Sequence, residues 1–213
     1  MIKSGVFHAN IDSEISMRDT REKILQKALK LFAGNGYEAV SVSEIAGALG
    51  ITKGALYRHY INKRDIFDSI LSEMERRDAE RATAFDLPEG TLHDMPEKYR
   101  AASMEKLIDF CKAQFDYWTR DEFASDFRKL LTIEQYRSDE MMSLYRQYLA
   151  GGPLGYIEDL LSAMGCDGPL EKAEKLYAHM FFCYSLYDSE KDKDGVRKAL
   201  FERLDDMAGT FLP

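Results

Sequence analysis

Residues 41–63 read SVSEIAGALGITKGALYRHYINK, and the fold of the chain is decided here. Ser41 and Glu44 have the spacing of a capping box, in which a hydroxyl and a carboxylate satisfy each other's backbone N–H groups at a helix start. Val42, Ile45, Ala46 and Leu49 then recur at i, i+3, i+4 and i+7, one apolar face of a short helix. Gly50 follows where the chain must turn sharply. Thr52 is placed to cap a second helix whose first turn is Lys53-Gly54-Ala55 and whose inward anchor is Leu56. Two short helices joined by a glycine turn make a helix-turn-helix, and the second helix of that motif enters a DNA major groove. Its residues suit the task. Gly54 and Ala55 leave room for close approach, while Thr52, Lys53, Tyr57, Arg58, His59 and Lys63 bring hydroxyl, imidazole and cationic donors to phosphates. Ser41 and Ser43, at the start of the first helix, complete the candidate DNA-binding set.

The pattern is wider than one helix pair. Ile45-Ala46, Gly50-Ile51-Thr52-Lys53-Gly54, Leu56-Tyr57-x-His59-Tyr60 and Asn62-Lys63 closely resemble the DNA-binding signature of the TetR family of transcriptional regulators. So do Ile24-Leu25, Leu31-Phe32-Ala33 and Gly36-Tyr37 upstream. The resemblance spans roughly residues 18–67; beyond it, only length and helical character agree. It implies an all-α protein with an N-terminal three-helix DNA-binding domain and a C-terminal helical bundle for effector binding and dimerisation. Tyr57 matches the position that reaches a phosphate, and His59 and Lys63 match positions that contact the DNA backbone. Ala55 and Arg58 fall where family members vary, and so where bases would be read. Tyr60, four residues after Leu56, reads as an aromatic core residue.

Bulk composition sets the outer limits. The chain has 213 residues, 45% hydrophobic and 31% charged, enough to bury a core. No apolar run approaches the roughly eighteen residues of a membrane span, and MIKSGVFHANIDSEIS lacks the apolar centre of a secretory signal. Cys111, Cys166 and Cys183, odd in number and widely spaced, do not make a disulfide framework. A cytoplasmic protein with no membrane partner is expected. The net charge of −8 conceals a division: residues 1–67 carry a net of +3 and the remainder −11. An acidic body keeps itself off the phosphates that a mildly basic head approaches.

Residues 1–17 show no helical period and are expected to form a flexible arm, followed by a DNA-binding domain at 18–65 and an effector-binding and dimerisation domain at 66–213. The first helix is expected from about Arg18–Thr20 to the Gly34-Asn35-Gly36 stop, with Ile24, Leu25, Ala28, Leu31 and Phe32 inward. Tyr37 and Val40 close the three-helix unit. A long helix begins after Asn62, with Ile66, Phe67, Ile70, Leu71 and Met74 inward. Residues 85–96, FDLPEGTLHDMP, read as a loop. Helices follow at about 97–118, 121–136, 138–150, 153–165, 169–188 and 194–210. The sequence offers no convincing strand alternation, internal repeat or low-complexity tract.

The middle helices are rich in aromatic residues and Met, the material of a hydrophobic ligand pocket and equally of a plain core. Because the resemblance implies an effector site in this domain, Phe115, Trp118, Phe127, Tyr145 and His179 are the candidate lining of a site for a small hydrophobic or aromatic molecule. Asp109, Asp116 and Glu134 are acidic candidates for a cationic one. The last two helices carry more apolar surface than one protomer needs to bury. Leu176, Met180, Phe181, Tyr184, Leu200, Leu204 and Met207 are therefore the candidate homodimer interface. In the resembled family these helices pair as a four-helix bundle, and a two-fold dimer reads a palindromic double-stranded DNA operator. Two rivals stay open. His179 and Cys183, four apart on one helix face, have the spacing of two metal ligands, which would make a metal- or thiol-responsive regulator. The other rival is a helical ligand-binding protein or enzyme without DNA function. P-loop, Rossmann glycine, GxSxG and HExxH patterns are absent, so catalysis is not indicated and no cofactor is expected.

Overall fold

The structure, a computed structural model, describes residues 4–84, 88, 90 and 92–211, and of residues 4–16, 82 and 83 the backbone only. Two compact units divide the chain, residues 1–75 and 76–213. In the first, α1 (Ser4–Asn35) stops before Gly36, whose φ of 88° suits glycine. Helices α2 (Val42–Ala48), α3 (Lys53–Leu56) and α4 (Lys63–Ala84) follow, and α4 runs on into the second unit. The expected boundary after residue 65 thus falls within α4. Ile24, Ala28, Phe32, Ile45, Leu56, Ile66, Phe67 and Ile70 are fully buried. The Tyr37 ring joins them, 5.1 Å from Phe32 and 5.2 Å from Phe67.

Helix α1 is longer than its apolar period indicated. A stripe marks only the portion that faces a core, whereas a helical backbone needs merely the absence of a breaker. No Gly or Pro lies between Gly5 and Gly34. The helix accordingly begins at Ser4 rather than near residue 18; residues 1–3 of the expected arm lie outside the described residues.

The second unit comprises the end of α4 with α5 (Pro96–Arg100), α6 (Met104–Arg120), α7 (Glu122–Glu134), α8 (Asp139–Leu149), α9 (Gly151–Ala163), α10 (Pro169–Ser189) and α11 (Lys193–Phe211). No strand occurs among the described residues, and no helix there is long and apolar enough to cross a membrane. Helix α10 is central, packing on α9, α11 and α6. Side-chain oxygens set the starts: Ser103, Asp121 and Ser138 accept the N–H groups of Lys106, Ala124 and Met141 at 3.2, 2.9 and 3.2 Å. The helix expected at 97–118 is therefore two, because Ser103 restarts what Ala101 ended. Buried Arg128 binds three elements: its Nη2 donates to both Asp188 carboxylate oxygens at 2.9 Å and its Nε to the Trp118 carbonyl at 3.0 Å. Of the loop expected at 85–96, residues 85–87, 89 and 91 lie outside the described residues. The Pro88 and Gly90 carbonyls accept the hydroxyls of Tyr156 and Tyr99 at 3.1 and 2.8 Å.

Candidate DNA-binding face and effector cavity

The capping box at α2 is formed. Ser41 Oγ accepts the Glu44 N–H at 3.2 Å, and the Glu44 carboxylate accepts the Ser41 N–H at 2.6 Å. These bonds hold the Glu44 carboxyl below its ordinary range. Gly50, at φ 68°, turns the chain, and the Ile51 N–H closes the turn on the Ala46 carbonyl at 3.0 Å. Thr52 Oγ1 then accepts the Ala55 N–H at 3.1 Å, starting α3. That helix is one turn long and is anchored from below: Leu56 is fully buried, and the buried Tyr60 donates its hydroxyl to the Arg21 carbonyl at 3.0 Å. Thr52, Lys53, Gly54, Tyr57 and Arg58 are left exposed, and the spacing of the last four puts them on one side of the turn. A Cβ built on Gly54 would meet nothing nearer than Thr52 Oγ1 at 4.0 Å, so packing within the unit does not demand glycine there. Ser41 and Ser43 are exposed as well, while Ala55 and His59 are half-buried. Lys63 is engaged within the protein. Its ammonium donates to the Tyr37 carbonyl at 2.9 Å and lies 4.3 Å from the Tyr37 ring centroid, which ties the start of α4 to the turn after α1.

The second unit contains a cavity of about 360 Å³, toward the small end of ligand pockets, roughly 300–1,000 Å³. Its walls are aromatic: Phe110 and Trp118 from α6, Tyr148 from α8, Tyr156 from α9, and Tyr177 and Tyr184 from α10. The Tyr177 hydroxyl is fixed on the Leu149 carbonyl at 2.9 Å, and burial pushes the Tyr156, Tyr177 and Tyr184 phenols up. The polar lining comes from Asp78 and Arg81 of α4, Gln114 of α6 and Gln147 of α8. Arg81 rests its guanidinium 3.7 Å from the Tyr117 ring centroid and donates to the Ala113 carbonyl at 3.4 Å. Burial outweighs the neighbouring Arg81 charge at Asp78 and pushes its carboxyl up to about 6. Gln114 Oε1 is buried without a hydrogen-bond partner.

Residues 24–70 match the family of bacterial regulatory proteins, tetR family. Residues 24–70 of the amino-terminal unit thus carry the domain of that family. Over 53 residues it is 45% identical to the HTH-type transcriptional regulator AcrR of Shigella flexneri, a stretch that covers 25% of each chain. Over 65 residues it is 34% identical to the nucleoid occlusion factor SlmA of Escherichia coli O1:K1, covering 30% of this chain and 33% of SlmA. These matches span a quarter to a third of each relative. Among solved structures, the complex of SmeT with triclosan aligns over 92% of both chains at a TM-score of 0.60 and 21% identity, a likeness of fold. SmeT is the repressor of the Stenotrophomonas maltophilia multidrug efflux pump SmeDEF.

The cavity corrects the sequence-based lining. Trp118 lines it; Phe115 and Phe127 stand behind the wall, fully buried, with Phe115 stacked on Tyr184 at 5.4 Å and Phe127 meeting Tyr148 at 5.1 Å. Tyr145 and His179 lie elsewhere. His179 Nδ1 is 2.7 Å from the Lys175 carbonyl, which makes it the protonated nitrogen, and Nε2 faces Arg203 Nη1 at 3.4 Å. Both ring nitrogens are thus engaged. Burial pushes the Cys183 thiol up, away from the thiolate that a metal or oxidant requires. Among the described residues, no three metal-ligating side chains converge. Asp109 is exposed, Glu134 is buried, and Asp116 takes a two-pronged bond from Arg197 at 2.5 and 2.7 Å. Sequence reasoning missed Asp78, Arg81 and Gln114, which interrupt no apolar period and carry no spacing signal.

The expected dimer interface also divides. Leu176, Met180, Tyr184, Leu200 and Leu204 are buried inside their own unit, because α10 is its central helix and spends one full side on the core. They are core residues, not interface. The outer side of α10 presents Phe181 at 43% and Phe182 at 62% exposure, and Met207 of α11 is half-buried.

Proposed function

We propose that the chain is a ligand-responsive transcriptional repressor that binds a palindromic operator as a homodimer and is released by a small hydrophobic or aromatic effector. The observation that carries this reading is α3: a capped single turn, held from beneath by Leu56 and Tyr60, whose outer side offers Lys53, Gly54, Tyr57 and Arg58. Hydroxyl and cationic donors there fit phosphates, and the open space at Gly54 fits close approach of a DNA backbone. The exposed Phe181 and Phe182 supply an apolar face for a second copy.

Helix α4 supports the response to ligand. It begins at Lys63, soon after α3, and contributes Asp78 and Arg81 to the cavity lining. An effector that favours one placement of the second half of α4 acts on a helix whose first half belongs to the DNA-binding unit. Effector and operator then oppose each other by the same coupling free energy in either direction. The bound triclosan of SmeT, a neighbour in fold, fits an aromatic effector.

Selection of bound duplexes from a random library, at two salt concentrations, tests the reading. A two-fold symmetric site is expected, bound more weakly as salt rises because phosphate contacts release counterions. Recovery of nothing above background from protein refolded free of small molecules would overturn it.

A further inference from the structure

Buried side-chain oxygens ordinarily have hydrogen-bond partners. Gln114 Oε1, on the cavity wall, has none, and it is the one such orphan among the described residues. A second acceptor, the Asp78 carboxylate, lines the same space from α4. Several of the donors nearby are committed elsewhere. The Arg81 guanidinium lies over the Tyr117 ring and bonds the Ala113 carbonyl, and the Tyr156 and Tyr177 hydroxyls donate to the Pro88 and Leu149 carbonyls. What the cavity offers a guest is flat aromatic surface and, at Gln114, an acceptor in want of a proton. A hydrocarbon would leave Gln114 unpaired, and an ionised carboxylate, itself only an acceptor, would offer it no proton.

We propose that the cavity selects flat aromatic ligands edged with N–H donors, arylamines and amino-heteroaromatics, with Gln114 Oε1 as the acceptor that discriminates them and Asp78 as a second. This rests on the reading of the cavity as the effector site and narrows it to a chemical class. The selection works through what an apolar isostere leaves behind: a site holding an acceptor binds the donor well and strands its own oxygen when the donor is missing.

The protein carries its own reporter, since Trp118 is the single Trp in the chain and lines the cavity. Aminoquinolines are titrated into the full chain against methylquinolines of the same substitution pattern, with Trp118 emission and heat as the two readouts. The amines are expected to bind about ten-fold more tightly than their methyl partners, the order of one hydrogen bond to an otherwise unpaired acceptor. Gln114→Leu should erase that advantage while binding the methyl compounds at least as well. Gln114→Glu, which retains an acceptor, should keep it and covers the case in which the Leu variant does not fold. Equal affinity of each pair for the wild-type protein would overturn the donor rule and leave the cavity reading standing. A preference undiminished in Gln114→Leu would overturn the assignment to Gln114. Binding of none of the compounds would overturn the cavity reading together with the rule.

Discussion

Lys53 and Asp78 show how differently a charge behaves at an exposed and at a buried position. Lys53 is exposed on α3, 5.7 Å from the Tyr57 ring centroid, and no core depends on it. Lys53→Ala should therefore weaken operator binding and reduce the slope of log K against log salt by about one, while unfolding stability stays within about 0.5 kcal/mol of the parent. A matching loss of stability would show that Lys53 serves the fold instead. Asp78 is the opposite case. The native state raises its carboxyl from the ordinary 3.8 to about 6, so it holds the proton more tightly than the unfolded chain does. The stability this residue contributes is fully present below about 3.8 and is lost as pH rises through about 6. Asp78→Asn should accordingly match the parent in acid and exceed it above that window by about 1–3 kcal/mol, read from urea unfolding across a pH series. A pH-independent difference would contradict the burial argument. Sequence disclosed the residues of the first kind, whose roles are local: caps at Ser41 and Thr52, anchors at Leu56 and Tyr60. Asp78, Gln114 and the carbonyl-bound Lys63 were illegible because burial of the first two and a distant carbonyl for the third set their surroundings, and neither obeys a period.

At the scale of elements, the clearest constraint lies where α8 gives way to α9. A Cβ on Gly152 would come within 2.0 Å of the Gln147 carbonyl oxygen, backbone that cannot step aside. Gly152→Ala should cost at least about 2 kcal/mol by forcing the two helices apart, and the cavity they help to line should deform with them. Gly155, one turn later, has nothing within 4 Å of its Cβ position, and Gly155→Ala should stabilise by about 0.5–1 kcal/mol. Thermal unfolding of the pair checks both signs, and a stabilised Gly152→Ala would refute the packing. Helix boundaries were readable wherever a breaker or a cap marks them, as at Gly50, Gly168 or Asp121. They failed at Ala101, where two alanines end a helix that their propensity favours, and at α1, whose upstream sequence carries no apolar stripe to mark it.

For the whole molecule, the prediction concerns assembly. Serine at both Phe181 and Phe182 should yield a monomer by analytical ultracentrifugation, with weakened operator binding and an unaltered Trp118 environment. A variant that stays dimeric would move the interface elsewhere. The all-helical class and the DNA-binding head were legible because both are written in local periods and a contiguous motif. The lining of the cavity was not, Trp118 apart, since the cavity is a remainder left by several helices after their own packing is satisfied, and five of them enclose it together with Pro88. The single turn of α3 carries a last implication. From Lys53 to Arg58, Leu56 is the buried residue, and Lys53, Gly54, Tyr57 and Arg58 have no core to satisfy. On the proposed function, operator preference and foldability are thus spelled by different letters of one six-residue word. On that proposal, a duplicated copy of this chain would drift to a new set of promoters through surface substitutions alone, each intermediate remaining folded, while the proposed effector cavity is inherited untouched.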